Sequence, residues 1–140
     1  MIREFREEDL DHIMEIWLNT NVQAHQFIPK QYWLNNFDRV KELLPTSEIY
    51  VDEQGNRRGF IGIIDGYIAG IFVVDSEQSK GIGRQLIELA KSKYNKLTLA
   101  VYEKNTQAIA FYKKQGFKPI KRSVDEYTGE TEIHMIWMRK

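Results

Sequence analysis

Apolar positions along this chain change period twice, and the changes divide it into elements. Between residues 7 and 20 they fall at Leu10, Ile13, Met14, Ile16, Trp17 and Leu18, the spacing of one helix face. The stretch before it, residues 1–5, is short and apolar at Ile2 and Phe5. After a loop with Pro29, a second helical period runs through Tyr32, Trp33, Phe37, Val40, Leu43 and Leu44 until Pro45 stops it. From Glu48 the period shortens. Residues 48–53, 59–65 and 67–74 are rich in Ile, Val, Tyr and Phe, and Gln54-Gly55-Asn56 and Asp65-Gly66 punctuate them as hairpin turns. Three antiparallel strands are predicted there. Residues 81–94 return to a helical period, with Ile82, Leu86, Ile87, Leu89 and Ala90 on or near the buried face, and 97–102 read as a strand. A fourth helix is predicted over 105–115, entered through Asn105 as a cap and ended at Gly116. Residues 117–126 and 131–138 close with a hairpin around Thr128-Gly129. Helices between two groups of strands predict an α/β (α+β) fold with a mixed sheet and helices on its faces.

Composition narrows the functions open to such a fold. At 140 residues, 42% hydrophobic and 29% charged, residues 1–140 are expected to form one domain around one continuous core. There is no apolar run of membrane-spanning length, and the opening MIREFREEDLDHI is too charged for a signal peptide, so a soluble cytoplasmic protein with no membrane partner is expected. With no cysteine, disulfides, a thiol nucleophile and thiolate metal sites are excluded; His12, His25 and His134 are scattered, so no metal is expected either. Net charge is zero and the two signs alternate along the chain, which leaves no basic block for nucleic acid.

Candidate chemistry gathers at Gln78-Ser79-Lys80-Gly81-Ile82-Gly83-Arg84. A buried strand runs into this loop, and the loop delivers the chain into a helix whose first N–H groups are unpaired and carry partial positive charge. Gly81 and Gly83 lack the Cβ atoms that would hold phosphate oxygens away from the backbone. Lys80 and Arg84 have the wrong sign for a helix N-terminus on its own, a conflict that a bound anion resolves. The plainer reading is a strand-to-helix turn. Lysine precedes the glycines, so this is no Walker loop; the third dinucleotide-fold glycine would fall at Leu86, and the order of elements does not read as βαβ.

Two blocks of sequence change the weight of that loop. Ile71-Phe72-Val73-Val74-Asp75-Ser76-Glu77 followed by Gln78-Ser79-Lys80-Gly81-Ile82-Gly83 resembles the acetyl-CoA motif of the GCN5-related N-acetyltransferase (GNAT) family: an apolar strand, a spacer, then Arg/Gln-x-x-Gly-x-Gly/Ala. Asp75 replaces the spacer's usual proline. Residues 99–117, with Asn105, Ala108, Phe111, Tyr112, Gly116 and Phe117, match the family's second block in the right order, and the predicted elements agree over nearly the whole chain. His25-Gln26-Phe27-Ile28 and the ending Trp137-x-Arg139-Lys140 resemble a bacterial subgroup with reported protein lysine acetyltransferases. The resemblance implies six to seven strands, mostly antiparallel, with four flanking helices and a cofactor cleft between two parallel strands that splay apart, here 68–74 and 97–102.

It also implies roles. Acetyl-CoA would lay its pyrophosphate on the amides of Gln78, Ser79, Lys80, Gly81, Ile82, Gly83 and Arg84, and its pantetheine along Ile71, Phe72 and Val73 like an added strand. Asn105 would bond the pantetheine as well as cap its helix. A backbone N–H around Val73 would face the carbonyl oxygen, and Tyr112 would protonate the departing sulfur unless it simply packs. Gly70 reads either as a bulge or as a small residue under a helix. His25, Phe27 and Tyr67 are expected at the acceptor site, with Tyr32 and Trp33 as further aromatic wall or ordinary core. Glu103 and His25 are the candidate bases, but the plainer reading comes first for both: Glu103 as a solvated loop carboxylate, His25 as a loop residue packed on Phe27. The acceptor is expected to be a small-molecule or protein amine, and the protein a monomer or a homodimer, between which the sequence does not choose. The competing class is a module that binds or senses acyl-CoA without transfer; a toxin acting on aminoacyl-tRNA is disfavoured by the missing basic block.

Overall fold

A computed structural model describes every residue, 1–140. In chain order the elements are β1 (Ile2–Glu4), α1 (Leu10–Ala24), α2 (Lys30–Leu43), β2 (Glu48–Gln54), β3 (Asn56–Ile64), β4 (Tyr67–Val73), α3 (Ile82–Lys93), β5 (Lys96–Tyr102), α4 (Thr106–Lys114), β6 (Lys118–Val124) and β7 (Thr131–Met138). The strands form one sheet in the order β1-β2-β3-β4-β5-β7-β6, parallel only between β4 and β5. This is the mixed sheet with four helices that the pattern predicts, mostly antiparallel as the family resemblance implies, with β1 as the seventh strand. One expectation fails: β4, α3 and β5 do make a parallel βαβ crossover. The dinucleotide fold is therefore set aside by glycine spacing and by sheet order, not by connectivity at this unit.

Element ends move for local reasons. Helix α1 starts three residues later than predicted because a 3-10 turn occupies Glu7–Asp9, where the Asp9 carboxylate accepts the Arg6 amide at 2.7 Å. That carboxylate is fully buried and also accepts both guanidinium ends of Arg3 at 2.9 Å and Arg57 Nε at 2.6 Å, tying β1 and β3 to the start of α1. Strand β3 begins at Asn56, before the predicted Gly59, because Gly55 at φ 76° lets the chain reverse in a single residue.

Alternation along the central strands sorts the core into two layers. Tyr50, Ile61, Ile63, Ile68, Leu97 and Leu99 pack with Leu86, Ile87 and Ala90 of α3, and the inner side of α4 joins them. Ile49, Val51 and Phe60 pack on the opposite face with Ile13, Met14, Trp17 and Trp33 of α1 and α2. Strand β7 lies inside the sheet and reads apolar, with Met135 fully buried. Its neighbour β6 is the edge, exposed throughout, rich in Lys and Arg, and irregular in register next to Pro119. No helix is long and apolar enough to cross a membrane.

What makes a site is the seam at β4 and β5. Only Tyr67 pairs with Thr98, and beyond that point the strands diverge. A bulge accompanies the divergence: Ile63 pairs with Ile68 but Gly62 with Gly70, leaving Ala69 without a partner. Gly70 flanks this bulge, as the first of its two readings has it; what crowds it is not a helix but the Phe72 ring of its own strand, which a Cβ would meet at 2.3 Å.

Candidate active site

The splayed strands open a cleft of about 710 Å³ that passes from the α3–α4 face of the sheet to the α1 face. Its walls are the end of β4, the loop into α3, the end of β5, the start of α4, the end of α1 with His25, and Glu132 from β7. Residues Ile71, Phe72 and Val73 all line it, as do Tyr67, Asn105 and Tyr112.

Backbone direction makes β4 a free edge there. The Val74 amide donates to Arg58 O on β3 at 2.9 Å, and in a strand successive residues turn their polar groups to opposite sides. Ile71 and Val73 therefore turn theirs toward β5, which has already diverged. The Val73 carbonyl on that side accepts the Gln78 side-chain amide at 3.0 Å. An amide-bearing chain laid in the cleft meets a strand edge with its pairing groups presented.

The other end of the cleft is the start of α3. Gly81 is its N-cap, at φ 87° and ψ 6°, with no side-chain cap, and the first intrahelical bond is Gln85 N to Gly81 O at 3.0 Å. The amides of Ile82, Gly83 and Arg84 are left without intrahelical acceptors. Ser79, at φ 68°, is also left-handed, and two such residues on either side of Lys80 curl the backbone into a concave row of N–H groups that suits an anion. The two glycines do different work. Gly81 is required by its backbone angle, whereas a Cβ on Gly83 would lie 3.2 Å from the Phe111 ring, so that glycine permits the close approach of α3 and α4. Gln78, Ser79, Gly81, Ile82, Gly83 and Arg84 line the cleft, Ile82 through its backbone because its side chain is buried in the core. Lys80 does not: its ammonium is turned to Glu77 at 2.8 Å in an exposed pair, so Arg84 alone supplies a side-chain cation at this end.

On α4, the Tyr112 ring sits edge-on to Phe111 and Phe117, with centroids 5.3 and 5.8 Å away, and the side chain still reaches the cleft. Packing and exposure to the cleft coexist. Burial pushes its phenol pKa well up, and the neighbouring Tyr67 adds to this, so the hydroxyl stays protonated and available as a donor. Asn105 caps the helix that carries Tyr112: its Oδ1 accepts the Ala108 amide at 3.2 Å. Its amide nitrogen then faces His25 Nε2 at 3.3 Å.

His25 is consequently a support. With Nε2 accepting from Asn105, the ring proton sits on Nδ1, which is buried and has no hydrogen-bond partner. The ring stacks on Trp33 at 5.4 Å and meets Tyr102 and Phe27 edge-on at 5.2 and 5.7 Å. Burial lowers its pKa, so it is neutral, and neither nitrogen is free to take a proton from an amine. Three sequence expectations change accordingly. His25 lines the cleft without serving as a base. Phe27 does not line it; with Tyr32 and Tyr127 it borders a separate pocket of about 380 Å³. Glu103 is drawn to Arg122 and is absent from the cleft wall.

Nothing in the motifs singles out Glu132. It faces Tyr102 directly in the β5–β7 register, is half-buried, and lines the cleft, yet no hydrogen bond or ion pair engages its carboxylate. Burial and the nearby Asp125 raise its pKa, while His134 works weakly the other way. A signal was present: Glu132 and His134 are polar alternates in an otherwise apolar strand.

Comparison with known proteins bears on this geometry. The family model for the acetyltransferase (GNAT) domain matches residues 45–119, which span β2 to the start of β6 and so both walls of the seam. The chain is 36% identical over 120 residues to peptidyl-lysine N-acetyltransferase YiaC of Escherichia coli, covering 84% of this chain and 82% of that one. It is 33% identical over 131 residues to peptidyl-lysine N-acetyltransferase YjaB of the same organism, covering 92% and 89%. The solution structure of apo YjaB superimposes with a TM-score of 0.87 over 100% of this chain and 98% of that one, at 30% identity. By family match, sequence relatives and fold alike, the chain belongs to the GNAT family of N-acetyltransferases.

Proposed function

We propose that this chain is a cytoplasmic enzyme that uses acetyl-CoA to acetylate the side-chain amine of a protein lysine. The observation that carries the reading is the pairing, in one cleft, of a strand edge at Ile71 and Val73 that no neighbouring strand covers, its Val73 carbonyl held only by the Gln78 side chain, with the uncapped N-terminus of α3. These suit the amide arm and the pyrophosphate of the same molecule, and two relatives bear the name peptidyl-lysine N-acetyltransferase. Bound there, acetyl-CoA supplies a thioester carbonyl open to attack by an amine.

The chain's own residues then divide the work. The amides of Ile82, Gly83 and Arg84, with the Arg84 guanidinium, hold the pyrophosphate. The β4 edge orients the pantetheine, and Asn105, steadied by His25, borders it. The Val73 N–H, pointing into the gap, stabilises negative charge on the carbonyl oxygen; such a donor contributes roughly 3 to 4 kcal/mol to the transition state. Tyr112 delivers a proton to the sulfur as the C–S bond breaks.

Incubation of the protein with acetyl-CoA and a library of lysine peptides, α-amine peptides and polyamines tests this, read by free-thiol release and mass spectrometry. The expected result is thiol release matched by acetylation of internal lysines. Stoichiometric acetyl-CoA binding without thiol release on any acceptor would reject transfer in favour of a binding module.

A further inference from the structure

Glu132 has the geometry of an acceptor-side ion site. Strand β7 enters the sheet between β5 and β6, which sets Glu132 across from Tyr102 on the face turned toward α1. Tyr67 lies on the same face, because its neighbour Ile68 points into the α3 layer. Tyr112 reaches the gap from the other face, so the cleft has a donor-side phenol and an acceptor-side carboxylate at its two mouths. No lysine, arginine or histidine nitrogen pairs with Glu132. Asp125, which accepts the Tyr102 hydroxyl at 2.8 Å, adds a second negative charge near by. A half-buried carboxylate without a counter-ion, walled by aromatic rings, is an incomplete arrangement that a cation completes.

We propose that Glu132 binds the acceptor's ammonium and takes its first proton, and that it selects amines carried on uncharged aliphatic stems over amines beside a carboxylate. The inference rests on the acetyl-transfer reading for its chemistry, but not for the binding site itself. One N–H bond of the ammonium breaks as an O–H bond forms on Glu132, which frees the nitrogen lone pair. A second proton leaves nitrogen when the N–C bond forms, and it balances the one delivered to sulfur. Burial that raises the Glu132 pKa narrows its gap from an amine near 10.4, which makes the transfer less uphill. An α-amino acid would bring its own carboxylate against Glu132 and Asp125 and be repelled.

Binding tests the site without turnover. With CoA present, NMR titration should show Nα-acetyl-lysine methylamide binding about tenfold or more tighter than its norleucine counterpart, the scale of a charge-assisted bond. Glu132→Gln should erase that preference while leaving acetyl-CoA affinity unchanged. Equal affinities in the unsubstituted protein, or a preference that survives Glu132→Gln, would overturn the proposal. In turnover, Glu132→Gln should lower kcat for a lysine peptide by about 100-fold, yet change that for an arylamine, uncharged at neutral pH, by less than about threefold. Equal losses on both acceptors would make Glu132 a structural residue and overturn its role in proton transfer. A protein that shows the lysine preference but transfers to no amine would reject the enzyme reading and retain the cation site.

Discussion

Replacing Gly81 by alanine separates backbone conformation from contact at the anion end of the cleft. Gly81 holds φ at 87°, where an L-residue is disfavoured by about 1–2 kcal/mol. The new methyl group would meet only the Arg84 guanidinium, at 3.5 Å, so there is no steric term to add. Two responses are open to the variant. If residue 81 keeps its angle, the whole strain appears as lost stability and acetyl-CoA affinity is unchanged. If it relaxes, the amides that follow swing away, stability recovers, and the strain is met again on binding. Stability loss and affinity loss should therefore sum to about 1–2 kcal/mol; taken entirely in affinity this is a rise in Kd of about 5- to 30-fold. Urea unfolding and calorimetric titration with acetyl-CoA measure the two parts on the same protein. Gly81→Asn should lose less than Gly81→Ala, since asparagine tolerates the left-handed region. Stability within about 0.3 kcal/mol of the parent together with Kd within about twofold would refute the argument. An asparagine variant worse than the alanine one would refute it equally.

Tyr112→Phe keeps the ring packed edge-on against Phe111 and Phe117 and removes only the hydroxyl, so kcat should fall about 10- to 100-fold with acetyl-CoA Kd changed less than about twofold. Parallel losses in steady-state turnover and in affinity would instead mark the tyrosine as packing. Asp9→Asn should cost about 3–5 kcal/mol at neutral pH, because Arg3 and Arg57 are left around a group that no longer balances them. The pH dependence has a definite sign: bonds from Arg3, then Arg57, hold the Asp9 carboxyl well below the usual range against the effect of burial. Its stabilisation is therefore complete above the unfolded value near 3.9 and declines as pH falls. Between about pH 5 and pH 3 the parent should lose about 1 kcal/mol more than Asp9→Asn in urea unfolding, and parallel curves would contradict the assignment.

Most of the cleft's donor side was written locally. Gly81 and Asn105 sit where a backbone angle and a helix cap demand particular residues, and such demands act over one turn of chain. The same holds for the order of helices and strands, since period and punctuation are short-range properties. The fate of individual charges was not legible. Lys80 looks free beside its glycines, yet Glu77 is near enough in space to hold it; Glu103 stands at the end of the right strand, yet Arg122 on another strand draws it aside. Phe27 was expected with His25 because the family resemblance sets their loop at the acceptor site; the two rings do touch, but Phe27 borders a second pocket and of the two only His25 lines the cleft.

The sequence by itself determined the elements, the split between apolar and polar faces, and the two motif blocks that mark an acetyl-CoA cleft. Only the tertiary structure decided what stands on the acceptor side. Glu132 is 27 residues beyond Asn105 and reaches the cleft because β7 inserts beside β5 rather than following β6 at the edge. That placement answers to a non-local requirement: the apolar face of β7, with Met135 fully buried, must be covered inside the sheet, and the charged β6 can tolerate the exposed edge. Strand order, and with it the partner of each carboxylate, is settled by which surfaces the whole sheet can bury, a quantity that no single stretch of sequence contains.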